Sequence, residues 1–330
     1  MTHELRNRGY TQLGPGRDHR VWPFFLLIFT SWLLWIPAGA RIAGVLPFAW
    51  PFEIAFAGAF IPCLLAVWMT ARTAGTAGVI TLLKRFVAWR FPARYWAYAV
   101  FAMPLSAFAT ALVLSGNGEP NLVIDGIDRL LSGDAMQSVL DRDERNVYES
   151  AGPADAYRAI SASSPIAFAL AFVGLALVEG GVSEEPGWRA WAYPILRDRW
   201  AALPAAMVVG LFWALWHIGP QQWAILFEDG TGAFLAFLPE HMLLYIIGVL
   251  PLAIIFSWLY EATGGSLLVC FVVHASFNIT STMSNAMFDG PVVLGVIGFL
   301  WTTVATVLWR VGWRRFSAST RGSHSRDPQA

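Results

Sequence analysis

Eight segments of this chain are each long and apolar enough to cross a membrane as a helix. A spanning helix needs about 20 mostly apolar residues at a rise of about 1.5 Å per residue. The segments are 22 to 39, 51 to 71, 95 to 115, 165 to 195, 201 to 218, 241 to 259, 265 to 283 and 291 to 311. The sequence therefore predicts an all-α integral membrane protein with about eight transmembrane helices.

The charge and aromatic content agree with a membrane location. Charged residues make up 13% of the 330 residues, whereas soluble domains contain about 25%. The 17 tryptophans fit the boundary between hydrocarbon and water, where indole rings collect. Cys63 and Cys270, the two cysteines, both lie in apolar runs, which excludes a disulfide framework and a cysteine-based zinc site. With a net charge of zero, the predicted partner is the lipid bilayer and not nucleic acid.

Lysine and arginine predict the orientation of the chain, because they are enriched on the cytoplasmic side. In the eight-helix arrangement, 17 of the 22 basic residues fall on one side. Both termini are therefore predicted to be cytoplasmic. The resulting organisation has a cytoplasmic tail (1–21), N-terminal transmembrane helices (22–115), an extracytoplasmic loop (116–164), a core (165–311) and a basic cytoplasmic tail (312–330).

The long loop 116–164 is acidic, with nine acidic and four basic residues. Such a segment could form a surface helix or a lid. A solvated linker is the interpretation that its charge favours.

A small set of polar residues stands inside the apolar segments. A charged side chain near the bilayer centre costs about 2.5 to 3.5 kcal/mol, so each of these residues needs a partner or a function. We therefore expect a polar site within the helix bundle. The residues are Glu179, Glu184, Glu185, Arg189, His217, His274 and Asn278, with Glu240 and His241 at an interface.

Helical spacing indicates which residues of the first polar group can pair with one another. Glu185 and Arg189 are spaced i,i+4, which predicts an ion pair on one face of the helix. Glu184 lies about 100° around the helix from Glu185 and therefore needs a partner on another helix. Pro186 removes a backbone hydrogen bond and predicts a kink.

The remaining polar residues stand on two other helices. His217 ends an apolar helix, and His274 and Asn278 are spaced i,i+4 on a third. Counted from the loops at about 1.5 Å per residue, Glu184 and His217 lie roughly 20 to 25 Å deep and His274 roughly 15 Å deep. Helix tilt makes these depths overlap, so we expect Glu184, His217, His274 and Asn278 to meet.

Two chemistries fit these residues, and both hydrolyse an amide. In the first, Glu184 is a general base that activates water, while His217, His274 and Asn278 orient the water and stabilise the oxyanion. In the second, His217 and His274 bind Zn²⁺ with an oxygen ligand from Glu184 or Asn278. The H-E-x-x-H zinc motif is absent, and the spacing leaves both chemistries open.

Three short stretches resemble the motifs of a known family. They are "EEPGWR" from Glu184 to Arg189, "WALWH" from Trp213 to His217 and "HASFN" from His274 to Asn278. These are similar to the EExxxR, FxxxH and HxxxN motifs of the CPBP family of intramembrane endopeptidases, which groups CAAX prenyl proteases with bacteriocin-processing (Abi) proteins. Trp213 departs from the pattern, which has phenylalanine at that position.

The resemblance implies roles for these residues. Glu184 would be the catalytic base, His217, His274 and Asn278 would complete the site, and Glu185, Arg189 and Trp213 would support it. The resemblance implies a protease of a membrane-associated protein or peptide in a bacterial plasma membrane. It leaves the choice between Zn²⁺ and a glutamate-based mechanism without a cofactor open.

The polar residues also allow functions other than proteolysis. A non-catalytic membrane scaffold or a bacteriocin-immunity factor on the same fold is the main alternative. A proton-coupled transporter would use the intramembrane Glu and His residues as a relay, although no internal repeat supports it. A serine protease using Ser266 with His274 lacks any supporting motif.

Overall fold

The structure, a computed structural model, describes residues 21–48, 50–116, 122–138, 164–288 and 292–311. All regular secondary structure in these ranges is helical, and they contain no strand. A helix satisfies its backbone N–H and C=O groups within one segment, which suits a chain surrounded by hydrocarbon. The predicted all-α class is confirmed.

We number the helices α1 to α11 in chain order. The N-terminal part contains α1 (Trp22–Ile42), α2 (Ile54–Phe86) and α3 (Ala93–Ser115). A shorter helix, α4 (Leu122–Ser132), follows. The remaining helices are α5 (Pro165–Ala176), α6 (Tyr193–Arg197), α7 (Ala202–Trp216), α8 (Pro220–Glu228), α9 (Gly230–Ala262), α10 (Leu267–Phe288) and α11 (Val292–Val311).

Six helices in the described ranges are long and apolar enough to cross a membrane, namely α1, α2, α3, α9, α10 and α11. The pair α7 and α8, bent by 48°, makes a seventh if it is one span. The predicted count of eight is not confirmed, because the segment 165–195 is divided by wider turns and carries four charged residues. The protein is an integral membrane protein with six to seven candidate spans.

Several of the basic segments lie at one end of the bundle. The Arg197 Nε donates a hydrogen bond to the Glu261 carboxylate at 2.9 Å, which joins the ends of α6 and α9. The Ser266 hydroxyl donates to the Ala88 carbonyl at 2.7 Å, which joins the start of α10 to the turn after α2. The cytoplasmic assignment of this end stays a prediction, and the two tails, 1–20 and 312–330, lie outside the described residues.

Two predicted loops are partly helical. The helix α2 extends to Phe86, so most of the predicted loop 72–94 continues a spanning helix past an interruption at Gly75, whose φ is +61°. In the acidic segment, α4 and a helical turn at 134–138 replace the predicted solvated linker. The linker interpretation is therefore wrong for residues 122–138, because the segment is helical and Leu122, Val123 and Ala135 pack against the bundle. Residues 139–163 lie outside the described part of the chain.

Candidate active site

The first polar motif lies in a helical segment whose turns are wider than those of an α-helix. Leu177–Val182 and Pro186–Ala192 form π-helical turns, and one α-helical turn with Glu184 and Glu185 stands between them. The second wide turn begins at Pro186, which cannot donate a backbone hydrogen bond. At Pro186, where the sequence predicts a kink, the structure has a wide turn. Turns of this type recur at functional sites.

Glu185 joins two helices through its carboxylate. One oxygen lies 3.0 Å from the Arg189 Nε, and the other lies 2.9 Å from the His274 Nδ1. The predicted i,i+4 ion pair is confirmed, and both of its side chains are fully buried. Because a carboxylate accepts, the His274 Nδ1 carries the donated proton, and its Nε2 is left facing away from Glu185.

The Arg189 guanidinium is held by aromatic faces as well as by its ion pair. It lies 4.9 Å from the ring centroid of Trp213 and 5.4 Å from that of Phe256. Its two terminal nitrogens are buried and have no hydrogen-bond partner among the residues that the structure describes. The cation therefore depends on Glu185 and on cation–π contacts for its stabilisation.

The sequence predicts that Glu184 needs a partner on another helix, and this partner is Trp213 of α7. Its indole Nε1 donates a hydrogen bond of 2.5 Å to the Glu184 carboxylate, which is 6% exposed. The His274 ring meets the Trp213 ring edge-on, with centroids 5.4 Å apart. A phenylalanine at this position could not donate to Glu184, so the departure from the family pattern supplies a hydrogen bond.

His217 follows the last turn of α7 and is oriented by the same tryptophan. Its Nδ1 lies 2.7 Å from the Trp213 carbonyl oxygen. A carbonyl can only accept, so the Nδ1 of His217 is the protonated nitrogen and the Nε2 presents a lone pair. The side chain is half-buried, and its ring centroid is 5.8 Å from that of Trp213.

A glycine brings the first motif close to α10. A Cβ added at Gly180 would lie 2.6 Å from the Asn278 Nδ2 and 2.7 Å from the His274 Nε2. These two nitrogens therefore both lie close to Gly180 on the π-helical turn. A Cβ added at Gly181 would likewise lie 2.9 Å from the Phe271 Cα.

The polar residues of the three motifs thus gather around Trp213 and Gly180. Trp213 contacts Glu184, His217, His274 and Arg189 directly. Asn278 enters from α10 beside His274. The positions agree with the predicted convergence, while the catalytic and supporting roles stay predictions.

Comparison with known proteins covers this same part of the chain. Residues 165–280 match the family model described as type II CAAX prenyl endopeptidase Rce1-like. This confirms the resemblance drawn from the three motifs, all of which lie in the matched segment. A curated relative, "CAAX prenyl protease 2" of Methanococcus maripaludis, is 24% identical over 119 residues. That alignment covers 36% of this chain and 42% of the relative, so the chain matches less than half of the relative's length.

The carboxylates of motif one in the matched segment are paired with protein side chains in this structure. The described residues contain no group of three His, Cys, Asp or Glu side chains placed to hold a metal ion. The Glu184 carboxylate is turned to the Trp213 indole, and the Glu185 carboxylate is turned to Arg189 and His274. The described His, Cys, Asp and Glu side chains thus do not form a three-ligand group around His217 and His274, and zinc binding by these two histidines stays a prediction.

Two further residues of α9 adjoin the site, namely Tyr245, which the sequence reasoning missed, and His241, which it named without placing it at the site. The Tyr245 ring centroid is 5.2 Å from that of His217 and 4.4 Å from that of His241. His241 had been placed at an interface, yet it is buried. The i,i+4 spacing of His241 and Tyr245 was the signal that could have found them.

Proposed function

We propose that this protein is an intramembrane endopeptidase of the glutamate-based kind. The observation that carries the proposal is the buried Glu184 carboxylate, held by the Trp213 indole beside His274 within the Rce1-like segment. A buried acid with one oriented donor and neighbouring imidazoles suits general-base chemistry.

In the proposed reaction Glu184 takes a proton from water as the water oxygen bonds to the scissile carbonyl carbon. The carbonyl π electrons move to the oxygen and form a tetrahedral oxyanion. When the oxyanion collapses, the carbon–nitrogen bond breaks and the protonated Glu184 returns its proton to the leaving amine. The products are a carboxylic acid and an amine, and Glu184 is regenerated.

In this proposal His274 and Asn278 stabilise the oxyanion, and the support is that their Nε2 and Nδ2 atoms lie against the same residue, Gly180. To donate there, His274 acts as an imidazolium, with its Nδ1–H on Glu185 and its Nε2–H on the oxyanion. The formal charges of Glu184, Glu185, Arg189 and this imidazolium then sum to zero, which suits a buried cluster.

His217 orients the water in this proposal. Its Nδ1–H is committed to the Trp213 carbonyl, so its Nε2 lone pair can accept a hydrogen bond from the attacking water. The water then donates one hydrogen to His217 and the other to Glu184, which leaves the lone pairs on its oxygen to face the carbonyl carbon.

The proposed substrate is a membrane-associated protein or peptide, and the proposed location is the plasma membrane of a bacterium. The relative's name suggests a CAAX peptide as the first probe. We propose to reconstitute the full chain in phosphatidylcholine vesicles with internally quenched CAAX peptides, one farnesylated and one without the lipid. Cleavage identified by mass spectrometry supports the proposal. Folded protein that cleaves neither probe nor an unbiased set of membrane-anchored peptides favours the non-catalytic scaffold or immunity factor.

Removal of metal tests the choice between the two chemistries. We expect dialysis against a strong chelator to leave the cleavage rate unchanged, because in the proposed mechanism Glu184 activates the water without a metal while Glu185 is paired with Arg189 and His274. The measurement is the initial rate before and after chelation, paired with elemental analysis of the purified protein. A rate that falls on chelation and returns with stoichiometric Zn²⁺ would contradict the glutamate-based mechanism.

The close approach at Gly180 gives a second expectation. Gly180→Ala should lower the cleavage rate by about 10²-fold, because displacing reactive groups by about 1 Å has effects of that size. The added methyl group has no room beside His274 and Asn278. Initial rates with the same peptide measure the effect.

Gly174→Ala is the matched control for this variant. It adds the same methyl group to α5, where a Cβ would meet nothing within 4 Å. Its cleavage rate should equal that of wild type. Equal activity of the two variants would mean that the approach at Gly180 does not position His274 and Asn278.

A further inference from the structure

We propose that α4 is an interfacial helix that lies along the membrane surface, with one of its faces against lipid. This inference concerns a part of the chain outside the Rce1-like segment, and it is independent of the proposed proteolysis. It rests on where α4 docks, on how its residues are distributed around its axis, and on the surface that its neighbours expose.

The helix α4 docks at the end of the bundle opposite to the basic loops. A Cβ at Gly126 would overlap the ring of Phe288, the last residue of α10. The start of α10 lies at the basic end, where Ser266 binds the Ala88 carbonyl. The 22 residues of α10 span about 33 Å at about 1.5 Å per residue, which matches the thickness of a bilayer core. The docking position is therefore close to the second membrane surface.

The turn after α4 strengthens this attachment. Ala135 is fully buried against Ala286 of α10, and methionine side chains pack around the pair. The Arg129 guanidinium donates to the Ser138 hydroxyl at 3.5 Å, which links α4 to this turn. Among the described residues, the segment 122–138 is thus fixed to the bundle through Gly126 and Ala135.

Around the helix axis, α4 is divided into three arcs. Gly126 faces the bundle. Ile127, Leu130 and Leu131 occupy an apolar arc of about 100°, and they are 43%, 49% and 78% exposed. A separate exposed arc of about 60° carries the polar residues Asp125, Asp128 and Ser132.

A helix with a protein face, an exposed apolar face and an exposed polar face fits a position where protein, lipid and water meet. A helix in water would leave the apolar arc unfavourably hydrated. A helix deep in hydrocarbon would leave Asp125 and Asp128 unfavourably desolvated. At the membrane interface, the apolar arc can contact lipid while the polar arc stays in water.

Neighbouring helices expose apolar side chains at the same end of the bundle. Leu112 and Val113 near the end of α3, and Leu294 near the start of α11, are exposed. These helices are candidate membrane spans, so their outer surface faces lipid. The apolar arc of α4 continues that surface, which is why we assign lipid and not a protein as its occupant.

The charges of α4 determine what kind of membrane contact it makes. Its two aspartates and one arginine give it a net charge of −1, whereas helices that seek anionic lipid are rich in lysine and arginine. Contact should therefore depend on the apolar arc and not on anionic headgroups. Phosphatidylcholine vesicles with and without phosphatidylglycerol should give the same result.

The test is a pair of nitroxide labels on the full chain in vesicles. Leu131→Cys places a label in the apolar arc, and Asp128→Cys places the matched label in the polar arc. The background carries Cys63→Ala and keeps the fully buried Cys270. Collision with oxygen, which concentrates in lipid, is compared with collision with a water-soluble nickel chelate.

We expect the oxygen-to-nickel ratio to be several-fold higher at Leu131 than at Asp128. A nickel-accessible label at Leu131 would place the apolar arc in water and overturn the proposal. A Leu131 label that meets neither reagent would show that protein covers the arc, from residues 139–163 or from a second copy, and would also overturn it. Ile127→Cys provides a second label in the same arc if the Leu131 variant does not reconstitute.

Discussion

Replacing Glu184 by glutamine is expected to abolish peptide cleavage while the protein stays folded. Loss of a general base lowers a rate by about 10² to 10⁴-fold. Glutamine has the shape of glutamate, and its amide oxygen can still accept the hydrogen bond from the Trp213 indole. The measurements are the initial cleavage rate and the thermal unfolding midpoint of the same preparation.

Glu240→Gln is the control for this prediction, because it removes a carboxylate from an exposed position on α9. It should keep wild-type cleavage and stability. A Glu184→Gln protein that cleaves at the wild-type rate would remove the general-base role. A Glu184→Gln protein that unfolds would instead assign this carboxylate to holding α7 against the first motif.

Removing either member of the buried ion pair is expected to lower both stability and activity. Arg189→Ala leaves the Glu185 carboxylate buried without its cation, and breaking such a pair costs about 3 to 5 kcal/mol. It also removes the cation from the Trp213 face. Glu185→Gln leaves Arg189 uncompensated and takes the negative charge from the His274 Nδ1. Folded yield, unfolding midpoint and cleavage rate should fall together in both variants.

A double variant separates the structural effect from the effect on His274. Glu185→Gln combined with Arg189→Met removes both buried charges, and replacing a complete buried pair is often close to neutral. We expect its stability to recover most of what each single variant loses. Its cleavage rate should stay low, because His274 still lacks a carboxylate at its Nδ1. Full recovery of cleavage would mean that Glu185 does not position His274.

The sequence reasoning found the class of fold and the polar residues of the site for one physical reason. Lipid makes long apolar helices obligatory and makes intramembrane charges costly, so both stand out in a linear chain. The pair of Glu185 and Arg189 was also predictable, because i,i+4 spacing is a local property of a helix.

The errors came from features that a linear pattern does not encode. The segment 165–195 was counted as one span with a kink at Pro186, whereas π-helical turns stand on either side of Glu184 and Glu185. Wide turns depend on how neighbouring helices pack and not on hydrophobic length. The continuation of α2 to Phe86 and the docking of α4 were missed because basic or acidic composition was taken to indicate loops.

By itself, therefore, the sequence determined an all-α membrane protein and the identity of the polar motif residues. Only the tertiary structure decided which atoms meet. Contacts between helices far apart in the chain make Trp213 the partner of Glu184 and join Glu185 to His274. The place of Tyr245 beside His217 depends on such a contact as well. Asn278 and His274 can lie close to Gly180 because this residue has no side chain. That feature matters only after α10 has packed against it.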